Sequence, residues 1–122
     1  MAFPGVKKKS QRKNAVPAGH YSSTVVGVRN ADGYSENEAI VVSHKLKNDK
    51  GDIFTFEEHF LNDLENPRTE EFDSYLNKNG VVLYSFEDLV GLEEELTLEK
   101  QVRAGRTYVN VVKRDFIKWG KV

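Results

Sequence analysis

Only one stretch of this chain carries the spacing of a helix, and it is framed by segments that read as strands. Between Asn66-Pro67 and Gly80, the apolar residues Phe72, Tyr75 and Leu76 fall at i, i+3 and i+4. Asn suits the cap of such a helix, Pro suits its first position, and Gly80 suits its left-handed end. Before it, Tyr21–Arg29, Glu38–Lys47 and Asp52–Phe60 are rich in Val, Ile, Thr and Phe and show no helical stripe. After it come the short apolar link Val81–Tyr84 and a capped turn at Ser85–Gly91. Leu92–Arg103 and Arg106–Phe116 then read as two strands joined at Ala104-Gly105. Gly27 interrupts the first strand, which signals a bulge or a sharp coil.

Three strands, a helix and two strands is the order of the five-stranded oligonucleotide-binding (OB) barrel. The expected fold is therefore mainly β, a five-stranded OB-like antiparallel barrel with one helix between strands 3 and 4. A small sandwich is the alternative. A split ferredoxin-like fold would need a helix after the first strand, and none is legible. Residues 1–16 read as a basic arm, and residues 17–122 as one domain.

Charge is unevenly spread. Residues 1–13 hold Lys7, Lys8, Lys9, Arg12 and Lys13 with no acid. Residues 49–99 carry a balance of −12, and residues 100–122 one of +6, within a net charge of −1. Such a pattern is expected to give the molecule one cationic face. There is no cysteine, which removes disulfides, zinc–thiolate sites and thiol catalysis. No apolar run approaches the ~20 residues of a membrane helix, and residues 1–7 lack a signal-peptide core. A cytoplasmic protein is expected.

Catalytic and metal sites find no support. His20, His44 and His59 show no ligand spacing, and no phosphate loop is present. Adjacent acids such as Glu57-Glu58 or Glu87-Asp88 point apart in a strand or sit about 100° apart in a helix. The expectation is a non-enzyme with no cofactor.

A tight hairpin after Lys47 would set Leu46 opposite Ile53. Phe54 and Phe56 then share an open face with Lys45, a stacking platform for unpaired bases. A slip of one residue would exchange the faces and place both rings in the core. In the last hairpin, Arg103 opposite Arg106 pairs Leu98 with Val111, Gln101 with Tyr108 and Glu95 with Arg114. The outer face there holds Glu93, Glu95 and Glu99 and would repel a polyanion, but the tip is cationic.

Ala18-Gly19-His20-Tyr21 through Val28, Leu89-Val90-Gly91-Leu92 and Gly105-Arg106-Thr107-Tyr108-Val109-Asn110-Val111 carry a resemblance. Over about residues 17–114, the chain resembles the small single-stranded DNA-binding proteins of bacteriophages and other bacterial mobile elements. That likeness implies an OB barrel, sequence-tolerant binding of single-stranded DNA, self-association and a role in phage DNA replication or recombination inside a bacterial host. Replication or recombination proteins would then be its partners. RNA is not separated from DNA at this level. Ligand crossing strands two and three of such a barrel would meet Tyr34, Lys45, Lys47, Phe54, Phe56, Arg103, Arg106 and Tyr108. The competing expectation is a non-enzymatic interaction or assembly module, with the acidic 49–99 region as docking surface for a basic partner.

Overall fold

The computed structural model describes residues 16–120, so the arm cations Lys7, Lys8, Lys9, Arg12 and Lys13 lie outside the described residues. The elements are β1 (Gly19–Asn30), β2 (Ala39–Lys47), β3 (Ile53–Leu61), α1 (Pro67–Lys78), a 3-10 turn (Phe86–Leu89), β4 (Leu92–Arg103) and β5 (Arg106–Trp119). The five strands form one antiparallel sheet in the order β3-β2-β1-β4-β5. Element order and helix position match the sequence reading. Closure does not: β3 and β5 are the two edges, and no backbone ladder joins them among the described residues.

Local chemistry accounts for the boundaries. The Asn66 side chain accepts from the backbone N–H groups of Arg68 and Thr69, and Pro67 opens α1 without losing a bond. The helix is tied to β3, where Arg68 donates to the His59 carbonyl and Thr69 to that of Leu61. Gly80 takes φ +77° beyond its end. In β1 the register slips between Val25 and Gly27, leaving Val26 as the extra residue of a bulge at the position the glycine marked.

Alternation along the strands builds an interior of three layers. One apolar layer holds Val25, Ile40, Val42, Phe60, Leu92 and Trp119, with Phe72 and Leu76 of α1 packed on it. The other holds Tyr21, Leu46, Phe56, Leu96 and Leu98. Val16, assigned to the arm by its sequence context, is buried in this second layer and belongs to the domain. Between the two lies a polar layer with one residue from every strand: Ser23, His44, Glu58, Glu94 and Arg114.

Two register expectations are corrected. Lys47, not Leu46, faces Ile53, because the β2–β3 turn is one residue longer than a tight hairpin. The Asn48 side chain accepts from the Lys50 and Asp52 backbone N–H groups and closes that loop. The slip turns β3 over, so Phe54, Phe56, Glu58 and Phe60 face inward beside Leu46, His44, Val42 and Ile40. In the last hairpin, Arg103 does face Arg106, Leu98 faces Val111 and Gln101 faces Tyr108. Beyond them Val112 is bulged out, so Glu95 meets Asp115 and Arg114 meets Leu96. The bulge moves Arg114 from the outer face to the interior.

Candidate nucleic-acid interface

Antiparallel pairing defines two ends of the sheet. The β2–β3 turn, the β4–β5 tip and the start of β1 share one end, because Ser22 pairs with both Lys47 and Glu95. The β1–β2 loop, α1 and the 3-10 turn lie at the other. Past the pair Gly19–Leu98, β4 and β5 continue as a two-stranded ribbon to Arg103 and Arg106.

This hairpin end gathers cations. Lys45, Lys47, Lys50, Lys100, Arg103 and Arg106 are exposed and make no ion pair among the described residues. Against them stand Asp49, Asp52 and Glu99, which leaves a balance of +3. Residues 62–88, at the helix end, hold seven acids and two cations, a balance of −5. The charge separation seen along the sequence is thus a separation in space.

The expected site residues fall into three groups. Lys45 and Lys47 share the outer face of β2, next to the exposed Thr55 and Ile53 of β3. Arg103, Arg106 and Tyr108 share the ribbon, where the Tyr108 ring is 44% exposed. Phe54, Phe56 and Tyr34 do not join them. Phe56 is 4% exposed within the core and cannot stack on a base. Phe54 is half-buried and meets Tyr21 edge-on at 5.8 Å. Tyr34 is exposed, but in the β1–β2 loop at the opposite end. The open aromatic platform expected on β2–β3 is therefore absent.

Between the edges of β3 and β5 runs an open groove of about 980 Å³. Tyr108, Lys100 and Lys113 border it on one side and Glu57, Arg68 and Glu71 on the other. Glu58 and Arg114 of the polar layer line its floor. Arg114 donates to both oxygens of Glu58, one at 2.6 Å, and to both of Glu94 at 3.1 and 3.4 Å. His44 Nε2 lies 2.8 Å from Glu58, and His44 Nδ1 lies 2.9 Å from the Ser23 hydroxyl. Ser23 and Glu94 are register partners, so this ring of side chains passes through all five strands and returns to its start. It spans the gap that the backbone leaves open.

The electrostatics follow from the geometry. Burial alone would raise the Glu58 carboxyl, but the Arg114 guanidinium and then His44 hold it well below the usual carboxylate range. Burial would likewise lower Arg114, and Glu58 and Glu94 instead push it above its ordinary value. Burial, and next Glu94, raise the Tyr75 hydroxyl, which makes no hydrogen bond among the described residues. Arg114 is saturated by two carboxylates, so the groove floor offers no free positive charge to a phosphate. Phosphate contacts belong on the rim and the ribbon.

Ser23, His44 and Glu58 have the order of a nucleophile relay. All three are buried, and Ser23 does not open onto the groove, so no substrate carbonyl reaches its hydroxyl. The chain of bonds joins strands. No three His, Asp or Glu side chains converge as a metal site among the described residues. No helix there is long and apolar enough to cross a membrane.

Sequence reasoning missed the polar layer, although its signal was legible. Glu94 stands in Leu92-x-Glu94-x-Leu96-x-Leu98, and Glu58 in Phe54-x-Phe56-x-Glu58-x-Phe60, each at a position where period two demands an apolar residue. Two acids at core positions call for a buried cation. No protein-family model matches this chain, and no curated protein matches it.

Proposed function

We propose that this chain is an OB-like fold with its five-stranded sheet left open, and that it binds single-stranded nucleic acid without sequence preference, in the service of phage or prophage DNA replication or recombination. One observation carries the reading: six exposed cations without ion pairs gather at the hairpin end, beside an exposed tyrosine and the mouth of an open groove. Among the described residues no acid forms an ion pair with these cations. A phosphate backbone passing from Lys45 and Lys47 across Thr55 and Ile53 to Arg103 and Arg106 would neutralise them, and Tyr108 would stack on a base. The acidic helix end repels the same strand and fixes its path. The strand order supports the OB-like reading, because β1 pairs with both β2 and β4 while β3 and β5 face each other across the groove.

Anisotropy of a labelled oligo-dT at low salt tests this. Single-stranded binding loses about 0.7 units of slope in log K against log salt for each phosphate contact removed. Arg103→Ala with Arg106→Ala is expected to flatten the slope by about 1.4 units. Tyr108→Ala is expected to cost ~1–3 kcal/mol at all salt concentrations. No binding by micromolar protein at low salt would end the proposal.

A further inference from the structure

The groove between β3 and β5 has an occupant at hand in the chain itself. Val16 is 2% exposed and packs in the apolar layer of Tyr21, Leu46, Phe56, Leu96 and Leu98, and both Val16 and Pro17 line the groove. Residue 15 therefore starts inside it. The Cα atoms of β3 and β5 stay more than 8 Å apart along nearly their whole length. That is too wide for a direct ladder and leaves room for one strand, which would sit ~4.8 Å from each edge. A two-residue turn makes Arg103 and Arg106 a hydrogen-bonded pair, so alternation turns the N–H and C=O groups of Thr107, Val109 and Val111 away from β4 and towards the groove. Beyond the Val112 bulge the same holds for Arg114. Among the described residues no strand pairs with this edge of β5.

We propose that residues 10–15 run back along the groove of their own chain as a further strand, antiparallel to β5. Residues 5–16 contain no proline, so each of them keeps an N–H for a ladder. From Val16, level with Phe56, a strand running towards α1 brings Asn14 level with Glu58 and Arg12 level with Phe60. The apolar residue then meets the apolar layer, and the polar residue meets the polar layer. The Tyr75 hydroxyl stands at that level too: its ring lies 5.9 Å from the Arg114 guanidinium, and it lines the groove. This hydroxyl is buried without a hydrogen bond among the described residues, and the Asn14 amide would supply one. Alternation leaves Gln11, Lys13 and Ala15 on the outward side.

Charge sets the direction. Towards the ribbon tip the walls are cationic: Lys100 lines the groove and Arg103 and Arg106 lie beyond it, none of them in an ion pair among the described residues. Towards α1 the rim is balanced, with Glu57 and Glu71 against Arg68 and Lys113. A segment that carries Lys7, Lys8, Lys9, Arg12 and Lys13 and no acid is repelled from the first side and runs to the second. Connectivity selects the copy. Residue 15 is bonded to a residue already packed in the groove, which gives its own segment an effective concentration that a second copy lacks. The proposal does not depend on nucleic-acid binding. It adds Lys13 to the rim and leaves Arg103, Arg106 and Tyr108 uncovered.

Backbone amide exchange of the full chain, followed by NMR without nucleic acid, tests it. The Val111 and Arg114 amides are expected to exchange at least ~10-fold more slowly in the wild type than in a variant carrying Lys13→Pro and Asn14→Pro. Of two adjacent strand residues one must turn its N–H towards β5, so the pair of prolines removes a ladder bond in either register. The Asn110 amide, which points to β4, is expected to exchange alike in both proteins. A second measurement needs no proline variant. A nitroxide on Ser10→Cys, the sole thiol in a chain without cysteine, is expected to broaden the amides of Arg68 and Glu71 and to spare that of Lys50 in the β2–β3 turn. Equal exchange of Val111 and Arg114 in the two proteins overturns the proposal. So does a nitroxide that broadens Arg68 and Glu71 no more than Lys50. When nitroxide-bearing chain is mixed with isotope-labelled wild type, the wild-type signals are expected to stay sharp; broadening of its Arg68 and Glu71 would put the segment in a second copy and overturn the proposal.

Discussion

Replacing Arg114 by methionine isolates what the polar layer contributes. The side chain bridges Glu58 of β3 and Glu94 of β4, and both carboxylates are almost fully buried. Its guanidinium also lies 4.6 Å from the centre of the Phe72 ring. Methionine keeps much of the volume and removes the charge. Two buried carboxylates then lose their main counter-charge, and breaking a buried pair from one side costs about 3–5 kcal/mol. Against a typical total of ~5–15 kcal/mol, that leaves a marginal protein.

The pH profile separates this cause from lost packing. In the wild type, Glu58 titrates far below its unfolded value of 4.5, so its contribution is complete above about pH 4.5 and is lost as pH falls below it. In the variant the buried Glu58 carboxyl lacks its main counter-charge, so it takes up a proton more readily in the folded state than in the unfolded chain. The variant's stability therefore rises as pH falls from 7 towards 5, by up to about 1.4 kcal/mol per pH unit for each proton taken up. Urea unfolding followed by circular dichroism across that range measures both slopes. A loss below about 1 kcal/mol, or a variant profile as flat as the wild type's, would refute the argument that Arg114 neutralises the layer. Adding Glu58→Gln and Glu94→Gln to the methionine variant should recover part of the loss, because no buried charge then remains.

Other perturbations address separate links. Ala104 holds φ +51° at the ribbon tip beside Gly105 at +76°, so Ala104→Asn should stabilise by about 0.5–1 kcal/mol in urea titrations without altering the fold. Asn66→Ala should cost about 1 kcal/mol, because two N–H groups of α1 lose their acceptor; an unchanged urea midpoint would show the cap to be idle. The wild type should lose stability below pH 4.5 as Glu58 is forced to protonate, seen as an acid transition that Glu58→Gln displaces. Replacing Lys7, Lys8, Lys9, Arg12 and Lys13 by alanine should flatten the salt slope of oligo-dT binding by about two to three units, if three or four of them meet phosphates. The preference for oligo-dT over duplex should hardly move.

What the sequence revealed and concealed has a physical pattern. The elements were legible because each carries its own punctuation: Asn66-Pro67 and Gly80 for α1, Ala104-Gly105 for the ribbon, Gly27 for the bulge in β1. The ribbon register was legible too, because a two-residue turn fixes it, as Arg103 opposite Arg106 shows. Register failed where a single residue decides the face. The extra residue in the β2–β3 turn depends on side-chain bonds from Asn48, which no pattern of hydrophobicity reports. It turned Phe54 and Phe56 from a surface into a wall of the core. The Val112 bulge acted alike on Arg114, and it brings that cation to Glu58 and Glu94. The cationic surface was half legible: charge balance pointed to it, but only topology brings the β2–β3 turn and the β4–β5 tip to one end.

The polar layer also explains why a sheet of this curvature can remain open. A backbone ladder between β3 and β5 would satisfy both edges and fill the space between them. Here the edges are held together lower down, by Glu58 and Arg114, and the groove of about 980 Å³ lies above that link. A side-chain link needs less approach than a ladder, because glutamate and arginine together reach across a gap that paired strands would close to about 5 Å. The same ring draws on β1, β2 and β4 through Ser23, His44 and Glu94, so the gap is fixed by the whole sheet. An apolar pair in place of Glu58 and Arg114 would lack that directionality and could pack in several ways. The charged layer therefore sets the separation of β3 and β5, and with it the position of the ribbon that carries Arg103, Arg106 and Tyr108.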